Sequence, residues 1–273
     1  MPLRSSDPFF SFAQGDIDLA QGALLIAREA RPDLDGSHYL HVLDQWADDF
    51  AAQTMGRSAA EAIDPFSTYV FEELGFRGNQ EAYDDPQNSY IDAVIDRRIG
   101  IPITLSLVYI ESGRRLGLPL SGVNFPYHFL VRCDAPPEQI FIDPFAGGQR
   151  LDRQQLAERL PVVDGAQLRF SEQYVEPASP RDILARMLRN LKRIHVTERR
   201  LRDAVRCGER ISWLLPNEAE NYRDLGFLYY RAHEYGKSIA AFEEYLRWAD
   251  EPHDVEEIRQ NIRVISGRLG LLN

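Results

Sequence analysis

The chain has 273 residues, 44% of them hydrophobic, and a formal net charge of -11. That length allows one large or two modest domains, each with a buried core. The acidic balance argues against nucleic acid as a partner and against an anionic membrane surface, because phosphate binding needs a basic surface. The longest apolar run, Ile99 to Ile110, has the length of a core element rather than the roughly 18 residues of a membrane span. The opening MPLRSSDPFFSFAQGD lacks the apolar stretch and cleavage pattern of a signal peptide, so the cytoplasm is the expected location. Cys133 and Cys207 are the two cysteines. They fall in what read as different domains, too few for a disulfide framework or a thiolate cage. His38 and His41 have no cysteine near them and read as surface residues, so neither metal nor cofactor is expected.

Apolar residues recur at helical spacing from Ile17 to Ala30, with Asp16 as the candidate N-cap, and again from Ser37 to Gln53. A third helix is expected from Phe66 to Leu74, ended by Gly75. After a turn-rich loop, a short helix over Tyr90 to Arg98 leads to RRIGIPITLSLVYIESGRRLGLPL. Pro102 suits the first position of a helix, where its missing N–H is no loss, and Ile101 before it is pushed out of helical geometry. The helix that opens at Gly100-Ile101-Pro102 is apolar nearly all round as far as Ile110, which predicts burial on several sides.

Two strands are expected next, Val123 to Cys133 and Gln139 to Asp143, joined by DAPPEQ. Paired as an antiparallel hairpin about the Ala135–Pro136 bond, they bring His128 opposite Asp143. From about Asp182 strand signals vanish. Leu191 and Leu225, Ala204 and Ser238, and Pro216 and the neighbourhood of Pro252 recur at a spacing near 34 residues. Two helical repeats, 185–218 and 219–252, and a final helix from Val255 to Leu269 account for this region.

A histidine facing an aspartate near the start of a buried helix supplies two of the three groups of a Cys-His-Asp site. Gly100-x-Pro102, then Arg114-Arg115-Leu116-Gly117-Leu118-Pro119, then His128-Phe129-Leu130 and Ile142-Asp143-Pro144 resemble the transglutaminase-like core. In that family Gly-x-Cys opens a helix ending in Arg-x-x-Gly-x-Pro, followed by a strand histidine and an Asp-Pro. More closely, NSYIDAVIDRRIGIPITLSLVYIESGRRLGLPLSGVNFPYHFLVR with FIDPFAGG, preceded by ALLIARE and followed by tetratricopeptide-like helices, resembles the bacterial SirB-type branch over nearly the whole chain. The resemblance implies an α+β fold. A helix-rich transglutaminase-like (papain-like) core with a small antiparallel sheet, residues 1–178, would precede an all-α tetratricopeptide-like region, residues 179–273.

The resemblance also marks a departure, because the family's nucleophile position falls on Pro102, which has no reactive atom. Cys133, five residues from His128, alternates onto the opposite face of its strand. Ser106, one turn inward from Pro102, is the remaining candidate nucleophile, although a serine inside a helix commonly returns its hydroxyl to the backbone. Asn88, Thr104 and Asn124 are candidates to line a ligand cleft. Two functions follow. One is a non-catalytic binding or regulatory protein that holds a protein or peptide through its helical repeats, with Trp213, Tyr222 and Tyr229 as candidate contacts. The other is a hydrolase or acyl transferase using Ser106, His128 and Asp143.

Overall fold

The computed structural model describes residues 7–163, 165–250 and 254–272. The first six residues of the opening stretch and Pro252 of the repeat comparison lie outside the described residues. The chain divides into two compact units, residues 17–184 and residues 185 onward together with the stretch before Ile17. Against the expected division after residue 178, the N-terminal segment groups with the repeats and the boundary falls within a helix.

In the unit of residues 17–184 the helices α2 (Leu19–Ala27), α3 (Gly36–Thr54) and α4 (Ala59–Thr68) come first. Asp18, rather than Asp16, caps α2 by accepting from Gln21 N at 2.8 Å. The helix expected at Phe66 instead begins at Ala59 behind a reciprocal Ser58–Glu61 capping box, and passes into a π-helical turn, Tyr69–Glu73. Gly75 ends it at φ +75°, as its place after the last apolar residue requires. The short strand β1 (Arg77–Gly78), α5 (Ile91–Arg97) and β2 (Ile99–Gly100) then lead into α6 (Pro102–Arg115). Pro102 is the first residue of α6, and every residue from there to Gly113 is buried.

The strands β3 (Leu120–Val123), β4 (Leu130–Ala135), β5 (Glu138–Asp143) and β6 (Gln149–Leu151) form an antiparallel meander in that order. The strand expected over Val123 to Cys133 is therefore broken, because Pro126 and the positive φ of Tyr127 turn the chain between β3 and β4. β4 and β5 close directly around Pro136-Pro137, with Ala135 opposite Glu138 and Val131 opposite Ile142. This register is two residues away from one centred on Ala135–Pro136, and a shift of two leaves every side chain on its own face. The helix α7 (Arg153–Glu158) and a hairpin of β7 (Val162–Val163) with β8 (Ala166–Gln167) complete this part.

From Pro180 the described chain is helical: α8 (Pro180–Thr197), α9 (Leu201–Leu214), α10 (Ala219–Arg231), α11 (Tyr235–Trp248) and α12 (Val255–Leu272). Neighbours pack in succession, α9 on α10, α10 on α11 and α11 on α12, as in a repeat stack. Tyr229 is buried and donates its hydroxyl to Glu209 at 2.6 Å, and Tyr222 packs against the same core. Trp213 meets the ring of Phe10 edge-on at 5.3 Å, from the short helix α1 (Pro8–Ala13). Each of the three side chains thus has a packing contact, with Trp213 and Tyr222 half-buried.

Candidate functional site

The site starts from a carboxylate. Asp143 ends β5 and begins a single 3-10 turn, Pro144–Ala146, by accepting from the amides of Phe145 at 3.0 Å and Ala146 at 3.2 Å on Oδ1. The same oxygen lies 2.9 Å from His128 Nε2, and Oδ2 is paired with the guanidinium of Arg159. Only 3% of the Asp143 side chain is exposed, against 24% for His128 and 34% for Arg159, so a buried anion stands behind two half-open partners. Burial alone would raise the carboxyl's pKa. The hydrogen bond and charge of His128, and then those of Arg159, outweigh it and hold the group below the ordinary carboxylate value. An ionised carboxylate only accepts, so the proton in the pair sits on His128 Nε2.

His128 is not on a strand, contrary to the sequence expectation. It closes the turn Phe125-Pro126-Tyr127-His128 by donating its amide to Phe125 O at 3.0 Å. Phe125 and Phe129, each 1% exposed, anchor the two sides of this turn in the core. Tyr127 holds φ +57° with 83% of its surface exposed, the position after proline at which a type II turn favours glycine. The ring of Phe145 lies edge-on to His128 at 6.2 Å and to Tyr83 at 6.1 Å, which gives the polar pair an aromatic border.

The start of α6 belongs to the same neighbourhood. Phe145 covers Gly78, where a Cβ would lie 2.6 Å from its ring, and Gly78 pairs with Gly100, two residues before Pro102. α6 itself packs against the Pro144–Ala146 turn. Thr104 Oγ1 accepts from Ile101 N at 3.1 Å and donates to Asn88 O at 2.7 Å. Asn88 Nδ2 in turn donates to Ala82 O at 2.7 Å. Neither Thr104 nor Asn88 has any exposed surface. They tie the loop before α5 to the start of α6 rather than line an open cleft, which corrects their place among the cleft candidates. Asn124 is exposed in the loop after β3.

Ser106 is fully buried and its hydroxyl makes no hydrogen bond among the described residues, neither with the imidazole nor with the carbonyl one turn back. Cys133 is fully buried in mid-strand opposite Leu120 and Ile140. Burial, followed by the charge of Asp134, raises its thiol to about 11, so it is protonated at neutral pH. Sequence reasoning missed Arg159, which ends α7 and also donates to Gln149 Oε1 at 2.9 Å. No spacing rule links a helix end to a carboxylate sixteen residues earlier.

A buried helix, an antiparallel meander and a His–Asp pair beside the helix start define a transglutaminase-like domain, and a family model of the transglutaminase-like superfamily matches residues 37–189. A tetratricopeptide repeat model matches residues 191–263. The chain belongs to the transglutaminase-like superfamily, in the group of the UPF0162 proteins. A UPF0162 protein of Xylella fastidiosa is 37% identical over 256 residues, covering 90% of this chain and 89% of its own. One from Vibrio cholerae is 26% identical over 253 residues, covering 92% and 93%. Human F-box only protein 21 is 38% identical over 100 residues, 34% of this chain and 16% of its own. No solved structure matches the chain significantly. Among the described residues no helix is long and apolar enough to cross a membrane.

Proposed function

We propose that this is a non-catalytic transglutaminase-like protein whose tetratricopeptide repeats hold a protein or peptide partner in a regulatory role. The observation that carries the reading is Pro102, a residue with no nucleophilic atom, at the position that opens the buried helix beside His128 and Asp143. The fully buried Ser106 hydroxyl, without a hydrogen bond among the described residues, and the high pKa of Cys133 support it, because neither is an activated nucleophile. The His128–Asp143–Arg159 cluster then acts as scaffold for the turns that carry it. Repeat stacks present extended surfaces to protein partners, which supports the binding role.

The test is turnover. Purified protein is offered a glutamine-containing peptide with a primary amine, and separately a chromogenic ester, beside a Ser106→Ala, His128→Ala double variant. Equal, background rates are expected. A rate in the parent that disappears in the double variant would establish instead the hydrolase or acyl-transferase reading through Ser106, His128 and Asp143.

A further inference from the structure

The first helical hairpin of the repeats runs against the charge of the rest of the chain. From Arg186 to Arg210 there are nine basic residues and three acidic ones, in a chain of net charge -11. The inward-facing cations are matched: Arg189 meets Glu218 at 2.6 Å, Lys192 meets Asp224 at 2.6 Å, and Arg210 meets Asp7 at 3.4 Å. The outward-facing ones differ. Arg199, Arg202 and Arg206 are exposed and have no carboxylate partner among the described residues, although the chain carries 42 acidic side chains. Arg200 is exposed next to Arg199 and is paired with Glu198.

These arginines form one surface. Arg202 and Arg206 are four apart on α9, and Arg199 and Arg200 stand in the turn at its start. Burial and then the charge of Arg200 lower the pKa of the buried His195 on α8, Asp203 and Glu198 oppose them, and Arg206 adds a smaller lowering. This places these four charges at the same end of the hairpin, where the arginines outnumber the carboxylates. A helix start is also where cations are locally disfavoured, since the helix dipole is positive there. Stability of α9 therefore does not explain the cluster.

We infer that the α8–α9 turn is the docking surface for a short acidic segment of a protein partner. Charge complementarity selects the carboxylates, and scale selects a peptide over nucleic acid. The unpaired arginines occupy the turn and about the first two turns of α9, roughly 10 Å, which three or four extended residues span. A duplex would carry its phosphates on past the patch to meet the field of a net acidic protein. This deepens the proposed partner-binding role by giving the partner's chemistry. Its test is separate, because the non-catalytic reading is judged by turnover.

The experiment uses the full chain and fluorescence anisotropy with a labelled twelve-residue peptide holding a run of glutamates, its glutamine counterpart, and a twelve-base-pair duplex. Two variants of equal net charge are compared: Arg202→Glu with Arg206→Glu in the patch, and Arg57→Glu with Arg169→Glu at exposed positions elsewhere, with circular dichroism to establish that both fold. The expected result is binding of the glutamate peptide and not of the glutamine one, weakened about tenfold or more by the patch variant and less than about twofold by the control. The affinity should also fall as salt rises from 50 to 300 mM. Equal loss in both variants, no binding of the acidic peptide at low salt, or tighter binding of the duplex would each overturn the inference.

Discussion

Asp143 commits both oxygens, one to His128 and two backbone amides, the other to Arg159. Replacing it with asparagine keeps the shape and removes the charge. Asp143→Asn should lower the unfolding free energy at pH 7 by about 3 kcal/mol, the lower end for one member of a buried pair, because Arg159 and His128 retain access to water. The sign of the pH effect follows from the lowered carboxyl. Its stabilisation is complete above the unfolded value of about 3.9 and is lost as pH falls through the folded one. Urea titrations of parent and variant should therefore converge as the pH drops below about 4, and a gap that widens there would contradict the pairing. Position 102 allows a second test. If it occupies the nucleophile's place, Pro102→Cys puts a thiol at a helix start near an imidazole, and its alkylation by iodoacetamide should titrate below the free-thiol value of about 8.5. Adding His128→Ala should move that midpoint back upward. A midpoint indifferent to His128 would separate position 102 from the pair.

At the level of elements, tight helix packing yields opposite expectations for two glycines. A Cβ on Gly226 of α10 would lie 2.4 Å from the ring of Phe242 on α11, whereas one on Gly236 of α11 meets nothing within 4 Å. Alanine is favoured over glycine in a helix by up to about 1 kcal/mol, but overpacking a filled core costs about 1–3 kcal/mol. Gly226→Ala should thus lower the thermal midpoint and Gly236→Ala should leave it unchanged or raise it. A rise in both would mean that α10 and α11 are less closely packed. The long helices were legible because their apolar period is local: α3 and α6 begin within two residues of the expected positions. β3 and β6, with four and three residues, offered too short a pattern to read. The proximity of His128 and Asp143 was legible from their distance to the hairpin loop, although His128 reaches the carboxylate from a turn and the register differs by two. Asn88 and Thr104 were misread because a polar side chain near a helix start suggests a cleft just as well as a buried hydrogen-bond knot, and only burial separates the two. Arg159 was invisible because its partner is set by tertiary folding alone.

For the whole molecule, the grouping of α1 with the repeats is a long-range feature that no local pattern announces. Phe9 has no exposed surface and lies under the guanidinium of Arg210, 4.9 Å from the ring centre. Asp7 caps α1 through Phe9 N at 2.9 Å and pairs with Arg210 across 203 positions of sequence. Phe10 adds its edge-on contact with Trp213. A six-residue helix has no stability of its own, so α1 forms because α9 offers it an apolar and cationic bed. Phe9→Ala should then cost about 3–5 kcal/mol, the range for emptying a buried phenylalanine site, and the loss should be felt by the helical unit. Amide hydrogen exchange distinguishes where the cost falls. Protection in α9 and α10 should drop sharply, while the amides of β4 and β5, in the unit of residues 17–184, should exchange as in the parent. Equal loss of protection in β4 and β5 would mean that the two units unfold as one, and unchanged protection in α9 would mean that the N-terminal helix is not part of the repeat core.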